Sequence, residues 1–417
     1  MDKPAPPGQP LIFRKGLDLK HEVAADLSAD YRSAIVEEIK KGGYRYERPG
    51  LVVHLAREFG FCYGVDRAVD YAYQARRRFA GRRVYLTGEI IHNPRVNDRL
   101  RSLGIRILTD PGESIAALGP DDVVILPAFG VPVGMLLDIE RRGCTLVDTT
   151  CGSVLNVWKT VKRYAQEGFT AVIHGKFRHE ETLATASQTT AFPGGRYLVV
   201  RDLDQADRVC AHIRFGGDKE RFREEFAPAA SDDFDPDRDL VRVGLANQTT
   251  MLMSESLAIG EKFRQAMADR YGEAELSAHY RAFETICSAT EDRQSAVVAL
   301  LEERELDLMV VIGGYNSSNT ANLARICAER LPAYHIDQPE CLLSSSEIRH
   351  RPAGTKHEVV SFDWLPSHRP VKVGLTAGAS TPDVIVGAVI DRLEELTGTP
   401  APDGPLSPVT AQPRSTV

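Results

Sequence analysis

Apolar residues follow two rhythms along this chain: short unbroken runs, and longer stretches with the three-and-four spacing of an amphipathic helix. The runs TAVI, LMVVI, VVIL, VRVGLA and VKVGL read as buried strands bounded by turn residues. Helical spacing is clear at Val65, Ala68, Val69 and Ala72, and again at Val154, Leu155, Val157, Trp158 and Val161, where Gly168 closes the helix. The two rhythms alternate, which predicts an α/β fold with parallel sheets.

The alternation also repeats. Three passages begin with a cysteine entering a helix: FGFCYGVDRAVDYA, DTTCGSVLNVWKTV and ETICSATEDRQSAVVAL. Each is followed by a strand and a polar loop that opens another helix. The spacing from cysteine to loop is nearly constant, with 30 residues from Cys62 to His92, 28 from Cys151 to His179 and 30 from Cys287 to Ser317. A third strand-loop-helix element closes each passage. Such internal repetition predicts three similar parallel α/β domains in a pseudo-threefold arrangement around a central site. The expected divisions are an N-terminal extension over 1–49, domains over 50–146, 147–283 and 284–397, and a tail over 398–417 that composition marks as disordered. Within the extension, Ser28 is expected to cap a helix through Ala34, Val36 and Ile39, ended by Gly42 and Gly43. The charged stretch at 216–239 is expected to be a surface excursion of the second domain.

Composition changes this picture little. The 417 residues give enough chain for several cores, and a net charge of −7 argues against a nucleic-acid surface. No apolar run approaches the roughly 20 residues that span a bilayer, and MDKPAPPGQP lacks the layout of a secretion signal, so a cytoplasmic location is expected.

Seven widely spaced cysteines, an odd number without a CxxC pair, argue against disulfides and against a local zinc knuckle. Cys144, Cys210, Cys327 and Cys341 hold no repeated position and read as small buried hydrophobes. Cys62, Cys151 and Cys287 stand at the same point of three repeats, and three domains on one axis would bring them together. Three thiolates can hold a [4Fe-4S] cluster by three irons and leave the fourth open to substrate. A catalytic zinc with three ligands and a water is the rival reading.

The loops near that centre are rich in groups that hold anions. Asn316-Ser317-Ser318-Asn319, Gln248-Thr249-Thr250 and Ala379-Ser380-Thr381 all read as helix openings. Any one alone is an ordinary cap, whereas several facing one cavity suit a phosphate or diphosphate, with His92 and His179 as further donors. Glu180 and Glu181 can merely complement a helix dipole, or one of them can relay a proton toward a departing hydroxyl, with Thr249 as partner. The residues leave open a reductase, a redox-neutral cluster enzyme of the dehydratase or quinolinate synthase-like kind, and a non-enzymatic iron-sulfur sensor.

GFCYGVDRAV, IIHNPRVNDRL, VDTTC, HEET, NQTT, TIC-AT-RQ, NSSN and TAGAS, in that order over roughly residues 50–395, resemble the 4-hydroxy-3-methylbut-2-enyl diphosphate reductase family of the non-mevalonate isoprenoid pathway. The extension, HEET and PAFG are similar to its longer, plant and cyanobacterial type. The resemblance implies cluster ligands at Cys62, Cys151 and Cys287, and diphosphate contacts at His92, His179, Ser317, Ser318, Asn319 and Ser380. It implies a proton relay at Glu181 with Thr249, which also touches substrate, and gives Glu180 a less defined part. It further implies reductive loss of the substrate hydroxyl to give isopentenyl and dimethylallyl diphosphate, with ferredoxin or flavodoxin as electron donor. Two positions depart from the pattern: Phe129 stands where the shorter form has histidine, and Gly152 follows Cys151 where proline is usual.

Overall fold

The computed structural model describes residues 11–283 and 285–398; the expected disordered tail lies outside them, apart from Gly398. Three separate sheets carry the fold. The first has five parallel strands in the order Ile12–Phe13, Thr145–Asp148, Val123–Leu126, Val84–Leu86 and Ile105–Ile107. Four parallel strands form the second: Tyr280–Ala282, Val243–Asn247, Thr170–His174 and Tyr197–Val200. The third runs Ala333–Ile336, Leu308–Ile312, Val371–Ala377 and Leu51–Leu55, all parallel, and ends in an antiparallel edge strand, Arg45–Arg48. A small antiparallel hairpin, Glu347–His350 with Val359–Phe362, stands apart.

Each sheet separates two apolar layers, as the period-two geometry of a strand requires. In the first sheet Val84, Leu86, Val123 and Ile125 face one cluster while Tyr85, Val124 and Leu126 face the other. In the second, Val172 and Leu245 oppose Ala171, Ile173 and Ala246. Leu308, Val310 and Ile312 oppose Met309 and Val311 in the third. Helices therefore cover both faces, and the strand ends are left to build loops at the sheet edges. No described helix is long and apolar enough to cross a membrane.

The chain changes sheet at each repeated cysteine. Leu51–Leu55 pairs in the third sheet, yet the helix after Cys62 (Tyr63–Arg78) packs into the core of the first. Thr145–Asp148 pairs in the first sheet, and the helix after Cys151 (Gly152–Gln166) packs on the second. Tyr280–Ala282 pairs in the second, and the helix after Cys287 (Ser288–Glu303) packs on the third. The division at residue 50 therefore separates the Leu51–Leu55 strand from its own sheet, and the division at 147 cuts through the Thr145–Asp148 strand. A run buried on both faces carries no mark of which sheet it joins.

Three local expectations are corrected. Ser28 lies inside a helix, Lys20–Tyr31, that sequence spacing does not reveal because Val23 and Tyr31 are its only buried residues; the next helix, Ala34–Lys41, starts after Ser33. Leu155, counted in the apolar stripe of its helix, is 37% exposed. The 216–239 stretch is more than a surface excursion, because Phe222, Phe226 and Phe234 enter the core beside Val200 and Leu240.

Candidate active site

The cysteine of each repeat is the residue that caps its helix, in extended backbone conformation: Cys62 before Tyr63–Arg78, Cys151 before Gly152–Gln166 and Cys287 before Ser288–Glu303. Each cysteine N–H is tied to the carbonyl two residues past a strand end. Cys62 donates to Ala379 (3.1 Å), Cys151 to Ala128 (2.8 Å) and Cys287 to Thr249 (3.3 Å), so every unit is latched to the loop of another. The result is that all three half-buried thiols line one cavity. The other four cysteines are fully buried in the cores.

Helix N-termini carry partial positive charge, and three of them aimed at one point favour an anionic centre. Burial pushes the Cys62 thiol up, and it pushes Cys287 up to about 11 against the pull of its contact with Thr290. Metal loading would therefore release protons from these thiols. Among the described residues, the one group of three metal-ligating side chains within 4.8 Å of one another is His92, His179 and Glu180. The three thiols are thus spread wider than the roughly 3.8 Å sulfur separation of a single tetrahedral zinc. Three soft thiolate donors at one cavity suit an iron-sulfur centre. Gly64 makes the approach of two units possible, because a Cβ there would fall 2.6 Å from the Cys151 Sγ.

His92, His179, Glu181, Thr249, Ser317, Ser318, Asn319 and Ser380 line the same cavity as the thiols. Glu181, only 3% exposed, accepts from the Thr249 backbone N–H (2.5 Å) and from the Thr249 hydroxyl (3.0 Å). Burial pushes its carboxyl up to about 7, despite those two hydrogen bonds. Glu180, one residue earlier, points elsewhere: its side chain is 57% exposed and lies 3.6 Å from His92 Nε2.

The two histidines are held in opposite ways. His179 caps the Glu180–Thr190 helix, and its Nδ1 accepts from the Glu181 N–H (3.2 Å), which leaves the proton on Nε2. Burial lowers its pKa to about 3, so it is a neutral donor. His92 donates from Nδ1 to Glu89 (3.0 Å), while its Nε2 is buried without a hydrogen-bond partner. Phe129 stacks on His92, with ring centroids 4.9 Å apart and planes 13° from parallel. The aromatic ring therefore covers one face of the imidazole.

On the far wall, Ser317 caps the Ser318–Ala328 helix, and Asn319 accepts from the Ala379 N–H (3.0 Å). Ser380 donates to the His92 carbonyl (3.2 Å). Gln248-Thr249-Thr250 and Ala379-Ser380-Thr381 do not cap helices: the helices after them start at Met253 and Asp383, behind Leu252 and Pro382. Two residues at or beside the site, though inside motifs already noted, received no role of their own from the sequence. Thr290 sits 3.1 Å from Cys287 Sγ and 3.5 Å from the Asn319 amide. Gln248 accepts from the Lys176 N–H and Thr182 hydroxyl and donates to Thr250 and Ser318, joining two units. Their position one turn after a repeated cysteine and one residue before Thr249 was the available signal.

Residues 53–394 match the LytB protein family. The chain is 50% identical over 394 residues to a 4-hydroxy-3-methylbut-2-enyl diphosphate reductase of Gloeobacter violaceus, covering 93% of each protein. It is 45% identical over 386 residues to the enzyme so named in Thermosynechococcus vestitus, covering 92% of this chain and 94% of that one. Among solved structures, the E-1-hydroxy-2-methyl-but-2-enyl-4-diphosphate reductase of Plasmodium falciparum shares the fold, with a TM-score of 0.58 at 20% identity over 82% of this chain and 87% of that one.

Proposed function

The chain belongs to the LytB protein family, and from that premise we propose that it reduces 4-hydroxy-3-methylbut-2-enyl diphosphate to isopentenyl and dimethylallyl diphosphate. The reaction breaks the allylic C–O bond, forms a C–H bond and releases water, consuming two electrons and two protons. The observation that carries this reading is the meeting of three thiols, a buried carboxyl and a wall of anion donors in one cavity.

Reductases of this family use an iron-sulfur cluster. In this chain we assign Cys62, Cys151 and Cys287 to a [4Fe-4S] cluster, the type that three ligands leave with one open iron. When bound, the cluster supplies the electrons and a Lewis-acidic metal. The protein supplies the rest. His179 Nε2, His92, Asn319 and the hydroxyls of Ser317, Ser318 and Ser380 hold the diphosphate. This pins the hydroxyl end of the substrate toward the thiols. Glu181, uncharged for much of the population near neutrality, gives its proton to the departing hydroxyl, and Thr249 keeps the carboxyl aimed. Glu180 lies outside this path and steadies His92. A ferredoxin or flavodoxin in the cytoplasm is the donor we expect.

The test is turnover by anaerobically purified holoenzyme with a reduced donor. Donor oxidation in step with the two products supports the reading. Consumption of the substrate without donor oxidation, giving neither of the two products, would put the redox-neutral alternative in its place.

A further inference from the structure

Outside the reaction cavity lies a second, wider hollow, and the two share a wall made of His92, Phe129 and His179. The outer hollow is a vestibule. Lys176 and Arg178 line it from the loop between the Thr170–His174 strand and the Glu180–Thr190 helix. That loop is fixed: Gly175 donates to the Val200 carbonyl, Lys176 donates its backbone N–H to Gln248, and His179 closes a turn on the Lys176 carbonyl. Arg351, from the hairpin side of the third sheet, lies 5.0 Å over the ring of Tyr315, which lines the same hollow.

The cations at this mouth are unpaired. Neither Lys176, Arg178 nor Arg351 has a carboxylate within 4.0 Å among the described residues, although this chain forms many ion pairs and carries a net charge of −7. The two carboxylates there, Glu89 and Glu180, are both turned to His92, at 3.0 and 3.6 Å. Partial desolvation and then the neighbouring Arg351 lower the Lys176 ammonium, which places the two cations close to one another.

We propose that Lys176, Arg178 and Arg351 form an outer docking site for the diphosphate of the incoming substrate, from which His92 and His179 receive it. The inference rests on the reductase reading and deepens it. A multiply charged anion approaching an acidic protein needs a local attractor, and a concave mouth lined with cations focuses the field. Three unpaired cations at the mouth, one wall away from the donors, provide it.

The experiment compares unaltered holoenzyme with Lys176→Gln/Arg178→Gln, Arg351→Gln and the conservative Lys176→Arg, at low and high salt. Docking predicts that the Gln variants raise KM about tenfold at low salt, with kcat within about twofold, and flatten the salt dependence of kcat/KM. Inhibition by inorganic pyrophosphate should weaken in parallel, and Lys176→Arg should retain most of it. Unchanged KM, salt dependence and pyrophosphate inhibition would overturn the proposal. So would a fall in kcat with KM unmoved, because the cations would then act on the chemistry. Failure of the unaltered enzyme to turn over would instead refute the reductase reading, and direct pyrophosphate binding to the holoenzyme variants would still decide whether the cations dock an anion.

Discussion

Glu181 and Glu180 are chemically identical neighbours at the first turn of one helix, and the fold gives them opposite lives. A step of about 100° around the helix sends one into the cavity and the other to solvent. Glu181→Gln keeps the shape and can still accept from the Thr249 N–H, so it should retain the visible cluster absorption and substrate affinity while kcat falls by roughly 10²–10⁴. Glu180→Gln should keep most of kcat, and equal losses in both variants would remove Glu181 from its role. The pH dependence has a definite sign. Folding raises the Glu181 carboxyl from 4.5 to about 7, so the folded state holds a proton that the unfolded state gives up across that window. Its stabilising protonation is complete below about pH 4.5 and is lost as pH rises through 7. Turnover should therefore decline above about pH 7, and the stability of Glu181→Gln relative to the parent should rise across the same window by up to about 3 kcal/mol, read from denaturant midpoints. The sequence makes the His-Glu-Glu loop legible as proton-transfer chemistry, but the choice between the carboxylates waits on tertiary packing. Thr290 and Gln248 were hidden for the same reason, since their value lies in partners far along the chain.

Helix starts are the elements on which the site depends. A methyl at Gly64 would press on the Cys151 sulfur, so Gly64→Ala should lower iron content per chain while leaving the far-ultraviolet circular dichroism in place. Gly152 is the first helical residue after Cys151, is exposed, and has nothing within 4 Å of an added Cβ. Cys151, at φ −63° and ψ 143°, already has the backbone that precedes proline. Gly152→Pro should therefore stabilise the protein by about 0.4–1 kcal/mol, seen as a raised melting temperature with kcat unchanged. Helices with a broad apolar stripe, such as Tyr63–Arg78, are plain in the sequence. Lys20–Tyr31 is not, because two buried contacts leave no period to detect. The three phenylalanines of the 216–239 stretch were masked by the charges around them.

At the level of the whole molecule, three units close on one another through the cysteine N–H latches and the cavity they enclose. Replacing any one of Cys62, Cys151 or Cys287 by serine should abolish stable cluster binding, measured as iron and sulfide per chain, whereas Cys327→Ser should leave that stoichiometry intact. The threefold echo was legible because the same pattern of helix, strand and loop recurs at near-constant spacing. Strand membership was not, since Leu51–Leu55 is buried on both faces and its parallel partner lies more than 300 residues further along the chain.

That last pairing bears on how the enzyme is made. Leu51–Leu55 can find its neighbour, Val371–Ala377, only when all three repeats have left the ribosome. Ala379, which anchors Cys62, emerges later still. The nascent chain must therefore wait, with its first thiol unplaced, and the three thiols meet only once the third repeat has been made.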